Sequence, residues 1–309
     1  MATLGCDYAP TMKPLSLPAV TRGDSPAATF IVNRVPPHAY FVVSAVFHYL
    51  GPAFAVLLFA HIAPLGVAWL RIASAAVIFA AWRRPWRYYR GLQPAARRNV
   101  LMLGSVLALM NVCFYVAIDR LPLGTVGAIE FVGPIGLAAL GVRSKRNIAA
   151  LALATAGVYA LTTVRLAGQP LGFAFAFADC GLFVLYIVLG HRIAADGGAA
   201  GIDRLGFAML VAMVVAFPIG VRQALPAFTS PVLLAAGIGV GISSSVIPYV
   251  CDQLAMARLP RATFALLLSL LPAMASLIGA VVLHQVPTSP EIGGVALVVS
   301  GVLLHRSVE

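Results

Sequence analysis

Three ionisable side chains stand in stretches that otherwise exclude charge: Arg71 in AWLRIAS, Glu130 in GTVGAIEFVGP and Asp179 in FAFADCGLF. From Leu121 to Gly141, Glu130 is the only residue able to ionise. An ionised group at the middle of a bilayer costs about 2.5–3.5 kcal/mol on insertion scales, so such a residue faces a cavity or a partner. A carboxylate there can bind an ammonium group or carry a proton. A guanidinium is a forked donor that holds a carboxylate through two bonds. Arg71 therefore either clamps the carboxylate of a substrate or neutralises Glu130 or Asp179. Two carboxyls against one guanidinium leave one carboxyl over, and that group is the natural proton carrier. Binding and proton exchange of this kind call for no catalytic residue, no cofactor and no metal. The four cysteines, at 6, 113, 180 and 251, show neither metal-ligand nor redox spacing.

The face that carries Glu130 is made of small residues. Val126, Gly127, Gly133 and Pro134 lie one turn away, and Gly124 and Gly136 extend the strip. Such a surface lets a neighbouring helix or a small ligand approach the backbone, so Glu130 is expected to point into the protein. Pro134 frees the carbonyl of Glu130, four residues earlier. Asn111, Tyr115, Tyr249 and Ser243–Ser245 add polar groups within apolar stretches, and Tyr186 lies two turns beyond Asp179. These groups either touch a ligand or hydrogen-bond helices together. Asp252 ends its stretch and is placed either to gate a path or simply at an interface. His48 and His61 flank the first stretch, where His48 is read as a packing histidine or a proton relay.

Composition sets the solvent. Of 309 residues, 61% are hydrophobic and 10% charged, with a mean hydropathy of +0.95. Soluble domains are about a quarter charged, so lipid must cover most of this surface. Apolar runs of roughly 17–25 residues span a hydrocarbon core as helices, and their uniform apolarity excludes barrel strands, which alternate. The expected class is an all-α integral membrane protein with spans at 38–60, 62–82, 100–118, 122–141, 148–164, 171–190, 205–221, 231–250, 261–283 and 291–304. Residues 1–37 hold no apolar run and read as a disordered cytoplasmic tail. The net charge of +11 suggests no nucleic-acid partner, because the basic residues sit in short loops. Seventeen of the 21 lysines and arginines fall on the side of the termini and three (Arg120, Arg165, Arg222) on the other, with Arg71 inside a span. The positive-inside rule then puts both termini in the cytoplasm of a bacterial-type inner membrane.

The chain also repeats itself. AIDRLPLGTVGAIEFVGPIG (117–136) aligns with AMARLPRATFALLLSLLPAM (255–274), with Ala, Arg-Leu-Pro, Thr and Pro coinciding at one constant offset. Ten transmembrane helices therefore divide into two five-helix repeats, 38–164 and 170–306. An odd number of spans per half inverts one half against the other, the arrangement of secondary transporters whose site lies at the midplane between halves. Pro134 and Pro272 occupy equivalent positions and would mark kinks or hinges.

These stretches resemble the drug/metabolite transporter superfamily, EamA-type branch, and within it the threonine and homoserine efflux group. The likeness is carried by LGPAFAVLLF, PLGVAWLRIA and WRRPWR, by LMNVCFYVAIDRLPLGTVGAIEFVGPIG, by LYIVLGHR, and by SSSVIPYVCDQLAMARLPRATF. The resemblance implies a secondary transporter of small metabolites, makes Arg usual at position 71, and favours Asn111 and Tyr115 as site residues. The chain departs from the family pattern at Leu271, where a Glu usually precedes the proline, and at His284–Gln285, where Gly-Glu is usual. Asp179 stands where a small residue is usual.

The residues and the resemblance together point to a proton-coupled exporter of small amino acids, threonine- or homoserine-like, or of related metabolites. Its partners are the small substrate, protons and the bilayer. A transporter of another metabolite or drug is the alternative within the superfamily. A membrane-embedded enzyme lacks support, since no nucleophile–base spacing or metal cluster is visible.

Overall fold

A computed structural model describes residues 36–141, 144–165, 169–194, 198–256 and 271–304. Among the described residues every regular element is helical: α1 (Pro37–Leu58), α2 (Pro64–Arg83), α3 (Pro85–Arg90), α4 (Pro94–Ile118), α5 (Leu123–Gly141), α6 (Lys145–Arg165), α7 (Pro170–Ala194), α8 (Gly198–Thr229), α9 (Pro231–Gly241), a π-helical turn (Ile242–Val246), α10 (Ile247–Met256), α11 (Leu271–Leu283) and α12 (Ser289–Leu304). Six helical stretches are long and apolar enough to cross a membrane, and Leu123–Gly133 and Leu271–Leu283 are shorter apolar helical segments. The expected tail, the first half of the ninth span and Arg258 of the repeated Arg-Leu-Pro lie outside the described residues.

Local chemistry fixes the starts. Six of the helices begin on proline, at 37, 64, 85, 94, 170 and 231, where the missing N–H has no intrahelical partner to lose and the fixed φ is already helical. Ser230 caps α9 by accepting from Leu233 N at 3.4 Å. Two expected boundaries move. Helix α8 continues past 221 to Thr229 and contains Pro218 and Pro226, so Arg222 is helical rather than a loop residue. The arginine-rich loop after the second span folds in part as α3. In both places the onset of polar residues marks where the apolar run stops. It does not end the backbone hydrogen bonding, which is satisfied within the helix whatever the side chains.

In lipid, helices gain little by burying apolar surface, and close approach of backbones carries the packing instead. Three antiparallel pairs form the frame: α2 with α8, α5 with α11 and α6 with α12. Each is stitched through glycine. A Cβ on Gly66 of α2 would lie 2.5 Å from Gln223 O of α8, and one on Gly220 of α8 would lie 2.6 Å from Trp69 Cβ of α2. A Cβ on Gly157 of α6 would meet Gly294 O of α12 at 2.5 Å, and one on Gly301 would meet Ala150 O at 2.7 Å. Around this frame α4 packs on α7 and α8, and α5 on α7; α1 packs on α10, the π-turn and α11, and α9 on α2. Large apolar side chains such as Val77, Val214, Val232 and Val281 stay exposed on the outer faces, as a lipid-facing surface requires.

One end of the α2–α8 pair carries a polar clamp. Arg83 donates to both oxygens of Asp203, at 2.8 and 3.3 Å. Beside it Tyr89 of α3 stacks on Phe207 of α8 with ring centroids 3.9 Å apart, and the Arg204 guanidinium lies over Tyr88. At the far end of α11 the chain turns through His284, whose φ is +54°. This left-handed conformation suits glycine, which explains why the family pattern has Gly there. The backbone N–H of Gln285 then donates to Gly279 O at 3.0 Å.

Three outcomes follow for stability, all read from equilibrium unfolding in mixed detergent. His284→Gly should stabilise the protein by about 1 kcal/mol, since a non-glycine residue in the left-handed region costs roughly that much. Gly157→Ala should destabilise it by about 1–3 kcal/mol through overpacking against a backbone oxygen. Gly293→Ala, on the same α6–α12 pair but with open space at its Cβ, should be neutral or slightly stabilising.

Candidate functional site

Arg71, Glu130 and Asp179 come together. They line one cavity of about 130 Å³ between α1, α2, α4, α5, α7, α10 and α11. Asn111, Tyr186, Tyr249 and Asp252 share its wall. Most of the rest is apolar, including Phe41, Phe114, Phe131 and Phe183. The three charged residues are buried, with exposures of 6% for Arg71, 4% for Glu130 and 0% for Asp179.

Arg71 is held from an unexpected direction. Its Nε donates to Ser245 Oγ at 3.0 Å and its Nη2 to Ser244 O at 2.9 Å. Both acceptors belong to the π-turn, whose wider backbone register is a common feature of functional sites. The guanidinium also lies over the Tyr115 ring, 5.7 Å from its centre, a cation–π contact. Ion pairs form elsewhere, at Arg83–Asp203 and Arg120–Asp119. Arg71 is therefore not neutralised by Glu130 or Asp179 within ion-pair distance. The serine triplet, expected to bond helices or touch a ligand, bonds the arginine. Its packing depends on Gly51 of α1, where a Cβ would lie 2.7 Å from Ser244 N.

The two carboxyl groups differ. Glu130 accepts a long hydrogen bond from Tyr49 Oη at 3.4 Å. Neither oxygen of Asp179 has a hydrogen-bond partner. The small residues around Glu130 do what their pattern implied: a Cβ on Gly127 would meet Ala275 Cβ at 2.7 Å, and one on Gly133 would meet Cys180 Sγ at 2.9 Å. Helix α5 thereby sits close against α11 and α7 and turns Glu130 inward.

The other expected residues take several roles. Asn111 Nδ2 donates to Leu107 O of its own helix at 2.8 Å, and Tyr115 lies behind Arg71 rather than on the cavity wall. Asp252 accepts from Ser44 Oγ of α1. Pro272 is buried in α11 beside Leu271, and Pro134 lies in α5. Two departures from the family pattern, Leu271 and Asp179, face the same cavity. His48 is also on its wall. Tyr49 and Ser44 were not legible beforehand. Each sits among the ordinary residues of α1, and only the helix packing shows which carboxyl each one reaches.

Comparison with known proteins agrees with this architecture. Residues 170–306 match the model of the EamA-like transporter family. The threonine/homoserine exporter RhtA of Salmonella typhimurium (strain LT2) is 32% identical over 248 residues, covering 78% of this chain and 81% of that protein. The exporter of the same name from Escherichia coli (strain K12) is 32% identical over 244 residues, covering 77% and 80%. A crystal structure with 17% identity aligns over 86% of this chain and 97% of its own, with a TM-score of 0.53, and so shares the fold. A multi-pass helical membrane protein with three buried charged residues on one cavity, related over most of its length to these exporters, belongs to the EamA-like transporter family.

Proposed function

We propose that the protein exports a small amino acid, threonine- or homoserine-like, or a related metabolite, from the cytoplasm in exchange for protons. The observation that carries this reading is the grouping of Arg71, Glu130 and Asp179 on one buried, mainly apolar wall. A zwitterion needs one cation and one anion. Arg71 supplies the first through the edge not engaged by the π-turn, and either carboxyl supplies the second. The remaining carboxyl carries the proton. Around these carboxyls stand Tyr49 from α1, Arg71 from α2, Tyr249 and Asp252 from α10, Tyr186 from α7, and His48 from α1. The volume agrees with a small cargo. About 130 Å³ lies below the ~300–1,000 Å³ typical of drug-sized sites and near the ~150 Å³ cavity that holds one benzene.

Alternating access is supported by the way the helices pair. Among the described residues α1, α2, α4, α5 and α6 precede the junction after α6, and α7, α8, the run from α9 through the π-turn to α10, α11 and α12 follow it, five stretches on each side. The frame pairs α2–α8, α5–α11 and α6–α12 each join equivalents of the two halves. The contact of α4 with α7 has its counterpart in α10 with α1, and that of α5 with α7 in α11 with α1. This exchange of partners is what an inverted repeat produces. With both termini cytoplasmic, as the positive-inside bias indicates, Asp252 and Ser44 stand toward the cytoplasmic end of the cavity and can gate entry. Pro134 and Pro272 would serve as the paired hinges.

Proteoliposomes with a set pH difference test the reading with labelled threonine and homoserine. Wild type should give saturable flux driven by the pH gradient. Glu130→Gln or Asp179→Asn should reduce that flux at least tenfold, and the variant that removes the proton carrier should also abolish its dependence on pH. Retention of full pH dependence in both variants would exclude these carboxyls as carriers. Absence of wild-type flux for every small amino acid would move the substrate to another metabolite or drug. Arg71→Lys should raise KM at least tenfold, because an ammonium cannot grip the π-turn and a carboxylate with one planar fork.

A further inference from the structure

A second, more polar chamber of about 380 Å³ lies farther along the same helices, lined by Asp119, Arg120, Thr125, Ser276, Gln285 and Glu291 among others. Three helices run from one cavity to the other. On α5, Glu130 lines the first and Gly124 the second. On α11, Leu271 lines the first, and Ser276 and Gly279 the second. On α1, Ser44, His48 and Pro52 line the first, and Val56 the second. Between them these helices touch through small residues and one large ring. Gly127 of α5 lies against Ala275 of α11, and Tyr49 of α1 reaches Gly127 with its hydroxyl, 3.1 Å from where a Cβ would stand. Tyr49 and Ala275 are both fully buried. On α5 this contact forms the layer between Glu130 of the first cavity and Gly124 of the second.

We infer that the polar chamber is a second compartment of the transport path, a transit site for a small zwitterion, and that Tyr49 is the residue that closes it off from the inner cavity. This rests on the transporter reading. The chamber offers what a polar amino compound needs on leaving an apolar cavity. Arg120, paired with Asp119 at 3.0 Å, can exchange that partner for a carboxylate, and the Thr125 and Ser276 hydroxyls and the Gln285 amide supply neutral hydrogen-bonding groups. Gln285 ties two of its walls together, its Oε1 accepting from Leu123 N at the start of α5 at 3.0 Å. Tyr49 joins the barrier to the inner site, because the hydroxyl beside Gly127 is the one that donates to Glu130. A ligand or proton on Glu130 competes for that bond and so frees the ring that blocks the way.

Cysteine accessibility tests the barrier without relying on transport. In a chain whose four native cysteines are replaced by alanine, Thr125→Cys reports on the chamber and Met110→Cys on the inner cavity. A membrane-impermeant thiol reagent should modify Thr125→Cys at least tenfold faster from one face of the membrane, and Met110→Cys faster from the other. Adding Tyr49→Ala should raise labelling of Met110→Cys from the chamber's face at least tenfold. Labelling of both reporters from the same face, or a protected Met110→Cys in a folded Tyr49→Ala protein, would overturn the inference. Since Tyr49→Ala removes a large buried ring, Gly127→Ala provides a second arm in the opposite sense. It thickens the layer and should cut threonine flux at least tenfold while leaving labelling of Met110→Cys from its own face unchanged; undiminished flux would overturn the inference. Absence of wild-type flux would count against the transporter reading, and the labelling arms would still decide the barrier.

Discussion

The site depends on how one guanidinium is held inside a bundle that lies in lipid. Arg71 is buried in the middle of α2, where an unsupported charge is costly. Two carboxyls line the same cavity, yet the direct bonds come from a backbone carbonyl and a hydroxyl on the π-turn. A neutral pair of acceptors satisfies the hydrogen-bonding geometry without cancelling the charge. The positive field in the cavity is therefore retained for something else.

That support places demands on the neighbours. The π-turn must approach both α2 and α1, and it does so because Gly241 sits against the Arg71 backbone and Gly51 against Ser244. Helix α5 must bring Glu130 to the same space, and Gly127 and Gly133 let it lie close to α11 and α7. In water, hydrophobic burial tolerates loosely shaped partners. In lipid that driving force is weak, and the small residues that govern backbone approach also set the positions of the charged groups.

Much of this was legible from residue types. Charges isolated in apolar runs marked the site, because nothing except a cavity or a partner explains them. Arg71, Glu130, Asp179, Asn111, Tyr186, Tyr249 and Asp252 do share one cavity. Two kinds of feature were hidden. The partner of Arg71 was not readable, since three consecutive serines in an apolar helix do not announce a change of helical register. The part played by Tyr49 was not readable either, since a tyrosine in a membrane helix is ordinary until its neighbours are known. Helix ends were misread where polarity began before the helix stopped, as at Arg222. The departure at His284 became intelligible only with its φ angle: the position wants a left-handed backbone, and histidine adopts it.

The α2–α8 pair is fastened at both ends, by the close approach of Gly66 and Gly220 at one and by Arg83–Asp203 with the Tyr89–Phe207 stack at the other. Two rods joined at two separated points cannot swivel about either one. They form a single braced unit that holds Arg71. In mechanical terms the guanidinium is the fixed reference against which the rest of the cavity is measured.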